Sequence, residues 1–223
     1  MKAVILDTET TGGDEPHAVE VAWVDANSKA DFCQRYNPGK PILAGAMAVH
    51  HITDEDAADE PAHTTFRLPT CVEYVIGHKV DYDIEVVKRC GEMPEVKAIC
   101  TLAIARRLLP HSDTHTLTGL LYLLDRQFAI THARHAHGAM ADVYMTKRLL
   151  SLLLGEAAKQ EIAIASLEDL YALSELSRIP TVMAFGKHKG TAIADLPHDY
   201  IAWMLKQENV DPYLRKAFAL KAV

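Results

Sequence analysis

Two carboxylates close the first apolar stretch of the chain. Asp7 and Glu9 follow residues 3–6, a run of Ala, Val, Ile and Leu that is typical of a strand buried on both faces. Side chains at positions i and i+2 of a strand share a face and lie about 6.6 Å apart at roughly 3.3 Å rise per residue. Buried carboxylates are costly unless a positive charge meets them. The pattern therefore predicts a divalent-cation site at the C-terminal end of this strand, where open α/β sheets bind ligands.

Two later segments each place a histidine a few residues before an aspartate. His78 precedes Asp83, and His137 precedes Asp142. Asp142 opens a predicted helix, where an acidic side chain also suits the helix dipole. On one continuous helix, His137 would point about 140° away from Asp142 at 100° per residue, so we predict that it stands on a loop at Gly138. An imidazole on such a loop can approach the carboxylates and act as a general base.

The three segments together resemble a known family. Their order, Asp-x-Glu, His-x-x-x-aromatic-Asp and His-x-x-x-x-Asp, is similar to the three motifs of the DEDDh, or DnaQ-like, 3′→5′ exonucleases. Residues 46–53 resemble the family's nucleotide-wedge segment, and residues 100–110 resemble the segment after the second motif. Residues 185–205 resemble the C-terminal extension of the exodeoxyribonuclease X branch. The likeness covers nearly the whole chain, with Lys79 standing where many members have Asn.

The resemblance implies a fold, a reaction and a cofactor. The fold would be α/β, a ribonuclease-H-like mixed β-sheet flanked by helices, with a small C-terminal hairpin-plus-helix extension. The reaction would be that of a 3′→5′ exodeoxyribonuclease, which releases nucleoside 5′-monophosphates by two-metal-ion hydrolysis in DNA repair or end processing. Two Mg²⁺ ions per site are expected, with Mn²⁺ as a substitute, because carboxylates without soft ligands favour a hard cation.

The resemblance also implies roles for individual residues. Asp7 would bridge both ions, with Glu9 and Asp142 completing the shell of the first. Asp83 would support the second ion through water. His137 would take the proton from the attacking water. The side chains expected to contact the substrate, a single- or double-stranded DNA with a 3′ end, are Thr8, Ala48, Val49, His50, His78, Lys187 and Lys189.

The net charge of −7 is unusual for a protein that binds phosphate. Residues 178–223 carry seven Lys or Arg against four Asp or Glu, whereas the other 177 residues carry 16 against 26. Part of the acidic excess is the predicted metal site, where bound cations would reverse the local field. In the positive tail, Lys187 and Lys189 form a candidate contact with the phosphates of longer DNA. A solvated hairpin tip is the alternative that the sequence leaves open.

The resemblance implies an exonuclease domain over residues 1–154, followed by a helical linker over 155–177 and a small C-terminal extension over 178–223, which is a candidate for contacting DNA. Successive early strands indicate an antiparallel meander, and strand–helix alternation follows. The predicted strands lie near 2–8, 18–24, 31–36 and within 75–83. Helices are predicted over 84–90 and from 142 to 176 with a break at Gly155, followed by a hairpin (182–185 and 191–193) and a helix over 200–207. Glu20, in the second strand, is expected to be a satisfied structural acid near the site.

Three alternatives compete with a DNA exonuclease. An exoribonuclease that trims RNA with the same catalytic core is left open. A non-catalytic nucleic-acid-binding or polymerase-associated module is disfavoured, because pure binding gains nothing from five clustered metal and base residues. A zinc site would use closely spaced imidazoles, but no Cys or His-Glu-x-x-His helix accompanies them. Those imidazoles belong to His111, His115, His132, His135 and His137.

Composition excludes several other classes. No run of about 18 uncharged apolar residues is present, and the start of the chain does not resemble a signal peptide, so we expect a cytoplasmic protein without a membrane partner. The four cysteines form no Cys-x-x-Cys pair, which predicts reduced, buried thiols rather than a zinc ribbon. Phosphate-loop, dinucleotide-binding and nucleophile-elbow motifs are absent. The oligomeric state stays open, with a homodimer among the arrangements.

Overall fold

A five-stranded mixed sheet organises the first part of the protein. The computed structural model describes residues 2–135 and 138–221. The strands are β1 (Ala3–Thr10), β2 (Ala18–Asp25), β3 (Asp31–Arg35), β4 (Tyr74–Gly77) and β5 (Lys97–Cys100). They lie in the order β3-β2-β1-β4-β5, so β1 is central. The β1–β2 and β2–β3 pairs are antiparallel, whereas β1–β4 and β4–β5 are parallel. The predicted meander and mixed sheet are confirmed.

The helices in the described ranges fall into two groups along the chain, one before β5 and one after it. Before and between the later strands lie α1 (Ala44–His50), α2 (Asp54–Ala57) and α3 (Val80–Cys90). After β5 come α4 (Thr101–Leu108), α5 (Leu117–Leu124), α6 (Arg126–His132), α7 (Ala139–Lys159), α8 (Leu167–Arg178), α9 (His198–Leu205) and α10 (Pro212–Lys221). Single 3-10 turns occur at His63–Thr65, Ala133–His135 and Ile193–Asp195. No helix in these ranges has the length and apolar character needed to cross a membrane.

Alternation along β1 sends its side chains into two separate cores. Ile5 packs in the cluster that contains Val143 and Leu149 of α7, together with residues of α4 and α5. Val4 and Leu6 pack in the other cluster, which contains the buried face of α3. Because successive strand residues face opposite sides, Asp7 and Glu9 continue the α7 side while Thr8 continues the α3 side. This split fixes which helix each polar residue of β1 can meet.

Four expectations about local structure are wrong. Asp83 lies in the first turn of α3 rather than on a strand, because β4 ends at Gly77 and Val80 begins the helix. α7 begins at Ala139 rather than Asp142, and it runs through Gly155 without a break. Its flanking Leu153 and Ala157 are buried in the core, which outweighs the roughly 1 kcal/mol that a helical glycine costs. The cysteines are free, but only Cys90 and Cys100 are buried, whereas Cys33 and Cys71 are exposed.

The chain divides into two compact units, Met1–Ser174 and Glu175–Val223. Residues 155–174, expected to be a linker, belong to the first unit, since Leu170 and Leu173 lie in its main core. The second unit has its own apolar core around Phe218, Met183 and Leu196. Its expected hairpin is reduced to one bridge between Val182 and Ala192, and a helix over 212–221, which the sequence analysis missed, completes it.

Gly77 provides a test of the packing beneath the predicted site. A Cβ at this position would lie 3.1 Å from the Leu6 carbonyl oxygen and 3.1 Å from the Val80 side chain. The carbonyl belongs to the central strand and cannot move aside without shifting β1. We expect Gly77→Ala to lower the free energy of unfolding by about 1–3 kcal/mol, measured by urea denaturation. Gly155→Ala is the control, since nothing lies within 4 Å of its added Cβ. That change should raise stability by roughly 0.5–1 kcal/mol.

Candidate active site

Three carboxylates meet at the C-terminal half of β1. Asp7 and Glu9 point to the α7 side of the sheet, and Asp142 lies in the first turn of α7. One carboxylate oxygen from each residue lies within 4.8 Å of the others. In the described part of the chain, this is the group of His, Cys, Asp or Glu side chains that could hold a metal ion. Oxygen donors at this spacing suit a hard divalent cation.

Burial and mutual repulsion make the cluster reluctant to ionise without a cation. Burial and the charges of Asp83 and Asp142 hold the pKa of Asp7 well above its usual range. Burial and repulsion from Asp142 raise the pKa of Glu9 to about 7. A divalent cation would replace the lost hydration and relieve the repulsion, so the residues present fit a metal site.

Asp83 reaches the same pocket from the opposite side of β1. Its Oδ1 accepts hydrogen bonds from the Thr8 amide (3.1 Å) and from the Thr8 hydroxyl (2.7 Å). Burial raises the pKa of Asp83 to about 7, although the two Thr8 bonds and the charge of Lys79 act to lower it. Asp83 is therefore held close to the three-carboxylate cluster without belonging to it.

Lys79 and Tyr82 add features that the sequence analysis did not assign. Lys79 caps α3 with a left-handed backbone (φ 76°), and its Nζ lies 5.3 Å from the centre of the Tyr82 ring. The Tyr82 hydroxyl shares a 2.7 Å hydrogen bond with the Thr10 hydroxyl. Both residues line the pocket of about 190 Å³ that contains Asp7 and Asp142. Lys79 therefore brings a positive charge to the edge of an acidic pocket. The only sequence signal for it was the departure from Asn.

Glu20 anchors the start of α7 to the sheet. Glu20 lies opposite Glu9 on β2, and its Oε1 accepts the amide of Ala139 at 3.0 Å. Its Oε2 accepts a 3.4 Å bond from Arg35 Nε. The expectation of a satisfied structural acid is confirmed. The Ala139 contact lies one turn before Asp142, so Glu20 also helps to fix where that carboxylate stands.

The predicted substrate-contacting histidines are held by the protein itself. His50 Nε2 donates to the Thr10 carbonyl (3.1 Å), while its Nδ1 accepts the Ile52 amide (3.0 Å). Burial lowers the pKa of His50. His78 pairs with the Thr101 hydroxyl (3.0 Å) and the His115 carbonyl (2.9 Å), and burial lowers its pKa to about 4. Both nitrogens of each ring are therefore bonded within the protein, so the rings offer a ligand their faces rather than a free nitrogen.

The remaining predicted residues fall in different places. Val49 is 46% exposed and lines the acidic pocket, as does Thr8, and both also line a neighbouring pocket of about 470 Å³ between β1 and α1. Ala48 is exposed on α1 and is not among the residues that line these two pockets. Lys187 and Lys189 are exposed in the second unit. His137 lies outside the described residues, whereas Gly138, at which its loop was predicted, has an extended backbone just before α7.

The alternative zinc site loses ligands in the structure. His132 Nδ1 is bonded to the Phe128 carbonyl (2.9 Å), and its ring stacks on Phe128. His115 Nε2 is bonded to the Leu109 carbonyl (3.0 Å). Each of these bonds occupies one ring nitrogen, and among the described residues the histidines do not form a group of ligands close enough to hold a metal ion.

The raised pKa values predict how the metal-free protein responds to pH. Glu9 and Asp83 titrate near 7 in the folded protein but near 4.5 and 3.8 in ordinary surroundings. Folding therefore favours their protonated forms, and this stability is lost as the pH rises from about 4 through 7. We expect the free energy of unfolding in chelator to fall over this range by several kcal/mol, because each unit of pKa shift corresponds to about 1.4 kcal/mol.

Asp83→Asn should flatten that decline and stabilise the metal-free protein at pH 8, whereas Asp14→Asn, at an exposed acid, should not. Denaturant titrations of the three proteins across pH measure both effects. An equal pH dependence in Asp83→Asn and the parent would contradict the role given to this carboxylate.

Comparisons with known proteins agree with this geometry. A family model described as "Exonuclease" matches residues 4–150, and a short model named for quorum-sensing-regulated virulence factors matches residues 171–214. The chain is 27% identical to Exodeoxyribonuclease 10 of Escherichia coli K12, over 95% of this chain and 94% of that protein. It is also 27% identical to DNA polymerase III subunit epsilon of Pasteurella multocida, over 75% of this chain and 76% of that subunit.

Solved structures show the same fold. Exonuclease X in complex with 5′ overhanging duplex DNA matches with a TM-score of 0.58 and 26% identity, over 77% of this chain and 99% of that one. A complex of E. coli exonuclease I with single-stranded DNA matches with a TM-score of 0.56 over 71% of this chain and 41% of that one. Its 18% identity supports the fold alone. The ribonuclease-H-like fold is thus confirmed, and the chain belongs to the DnaQ-like exonuclease family, with similarity to exodeoxyribonuclease X over nearly its whole length.

Proposed function

We propose that this protein is a metal-dependent 3′→5′ exodeoxyribonuclease that releases nucleoside 5′-monophosphates. The observation that carries the proposal is the cluster of Asp7, Glu9 and Asp142 at the end of the central strand, with Asp83 beside it. Two relatives support DNA as the substrate class, since one is named an exodeoxyribonuclease and another was solved with duplex DNA. A non-catalytic module would have no use for buried carboxylates that repel one another.

We assign the cofactor as Mg²⁺, two ions per site, with Mn²⁺ as a substitute. Asp7 would bridge both positions, Glu9 and Asp142 would hold the first, and Asp83 would support the second through water. When bound, the cations would supply positive charge for the scissile phosphate and a more acidic water. The all-oxygen donor set supports this assignment.

The protein's own residues would orient the strand and move the proton. Val49, beside the acidic pocket, would pack its exposed side chain against the terminal nucleotide. His50 would hold α1 in place for that contact through its bond to the Thr10 carbonyl. His137 would take the proton from the attacking water on its imidazole nitrogen, as the motif implies. The further substrate contacts that stay proposals are Thr8, Ala48, His78, Lys187 and Lys189.

A role in DNA repair or end processing, in the cytoplasm, would follow from such an activity. Both stay predictions, and so does a homodimer.

The digestion of end-labelled oligonucleotides tests the proposed activity. With Mg²⁺, a 5′-labelled DNA should shorten stepwise into a ladder, because nucleotides leave from the 3′ end. Asp7→Ala and Asp142→Ala should abolish this ladder while leaving the circular dichroism spectrum intact, and chelator should do so reversibly. Asp14→Ala serves as the control, since Asp14 is exposed outside the cluster.

Three results would contradict the proposal. Immediate release of a labelled mononucleotide would reverse the polarity. Faster shortening of a matched RNA would transfer the activity to RNA trimming. Full activity with excess chelator would show that hydrolysis does not require a metal ion.

Replacing His137 tests the proton-transfer role. We expect His137→Ala to lower turnover by about 10²–10⁴-fold, the range for loss of a general base. Mn²⁺ affinity, measured by isothermal titration calorimetry, should stay near the parent value, and the acid limb of the pH–rate profile should weaken. His132→Ala is the matched control, because that imidazole is exposed and stacked on Phe128. A loss of metal affinity in His137→Ala would instead make this residue a ligand and revive the zinc hypothesis.

A further inference from the structure

An open cleft of about 500 Å³ lies on the surface of the second unit. We call it the aromatic cleft and define it by Phe185, Lys187, Tyr200 and Trp203. Phe185 and Lys187 come from the loop before the Val182–Ala192 bridge closes, and Tyr200 and Trp203 come from α9. Gly186, between the two loop residues, has a positive φ of 70°, a backbone conformation that suits glycine.

The rings in this cleft are large, planar and partly in water. Phe185 is 51% exposed and Trp203 is 55% exposed. Tyr200 is buried beside Trp203, with its ring centre 5.8 Å from that of Trp203 and 4.4 Å from that of His188. The buried tyrosine therefore supports the exposed Trp203 ring. Exposed apolar surface held on a rigid element is a common mark of a binding site.

Positive charge accompanies the aromatic surface. Lys187 Nζ lies 5.4 Å from the centre of the Tyr200 ring, and Lys189 is exposed two residues further on. Asp199 also lines the cleft, but its carboxylate accepts the amide of Tyr200 at the start of α9. Residues 175–223 carry seven Lys or Arg against five Asp or Glu, in a chain whose net charge is −7. The charge of this unit is thus complementary to a phosphate backbone.

Aromatic faces beside lysines are the usual means of binding single-stranded nucleic acid. Each base offers a π-face that can stack on an aromatic ring, while the phosphates meet ammonium groups. An apolar peptide would use the rings but would gain nothing from the lysines. The combination therefore favours a nucleotide chain over a protein segment as the occupant.

We propose that the aromatic cleft binds unpaired bases of single-stranded DNA, which stack on Phe185 and Trp203 while Lys187 meets a phosphate. The choice of DNA rests on the proposed exonuclease function. The binding itself requires no hydrolysis and no metal ion. The cleft would therefore hold DNA through contacts separate from the carboxylate cluster.

Trp203 can report its own occupancy. The chain has two tryptophans, and the other, Trp23, is buried and stacked on Phe32. In a full-length Trp23→Phe protein kept in chelator, a short oligothymidylate should quench the fluorescence of Trp203 in a saturable way. An oligonucleotide of the same length with abasic sites should bind at least about tenfold more weakly, because it keeps the phosphates but offers no base to stack.

Cleft variants separate stacking from charge. Binding of a labelled oligothymidylate, followed by fluorescence anisotropy, should weaken about tenfold in Phe185→Ala and in Trp203→Ala, while binding of the abasic strand stays unchanged. Phe185→Leu, which keeps the apolar bulk without the ring, should show the same defect and guards against misfolding. Leu220→Ala is the matched control, at a residue 67% exposed on α10 outside the cleft. The pair Lys187→Ala/Lys189→Ala should reduce the salt dependence for both ligands.

Two results would overturn the proposal. One is equal affinity for the oligothymidylate and the abasic strand. The other is parent affinity in both Phe185→Ala and Trp203→Ala, which would leave an apolar protein segment as the occupant.

Failure of this proposal and failure of the exonuclease assignment are distinguishable. A protein that stacks bases in the cleft but digests no DNA keeps the cleft and loses the activity. If the protein digests DNA but the cleft variants bind it as the parent does, the exonuclease assignment stands and only the cleft proposal fails.

Discussion

Repulsion among buried carboxylates is the constraint on which the site depends. Burial raises the pKa of Asp7, Glu9 and Asp83, and the negative charges of neighbouring carboxylates, Asp142 among them, raise those of Asp7 and Glu9 further. Asp83 has a close pair of donors, both from Thr8. The fold holds these groups together because β1 is central and packed on both faces. The apolar packing of the sheet therefore offsets the free-energy cost of burying the carboxylates. A bound divalent cation would offset the charge of these carboxylates and restore the solvation that burial removes.

The carboxylates are positioned by contacts of residues outside the set proposed to bind the metal. Ala139 and Glu20 fix the start of α7, Gly77 allows close approach of β4 to β1, and His50 ties α1 to the end of β1. Each contact joins residues far apart in sequence. The acidic cluster is therefore a product of the tertiary structure, and the motif residues would be scattered without it.

Sequence patterns were sufficient where one local signal dominated. The apolar run before Asp7 marks a buried strand, and the resemblance of the motifs to a known family predicted that Asp7, Glu9 and Asp142 would lie together. The helical setting of Asp83 was missed, because four apolar residues in a mixed run cannot distinguish a strand end from a helix start. The left-handed backbone of Lys79 leaves no local signature either, and the core of the second unit depends on long-range packing of short segments.

Because β1 packs against α7 on one face and against α3 on the other, its register in the sheet is strictly fixed. A slip of one residue against β2 would turn Asp7 and Glu9 into the apolar layer of α3 and would place Leu6 and Thr8 toward α7. The same slip would place ionisable carboxylates among apolar side chains, so the misregistered chain would be both inactive and disfavoured. The carboxylates of the candidate site thus also help to select the native register of β1. The register that buries the apolar side chains of β1 correctly is therefore the same register that brings the carboxylates together.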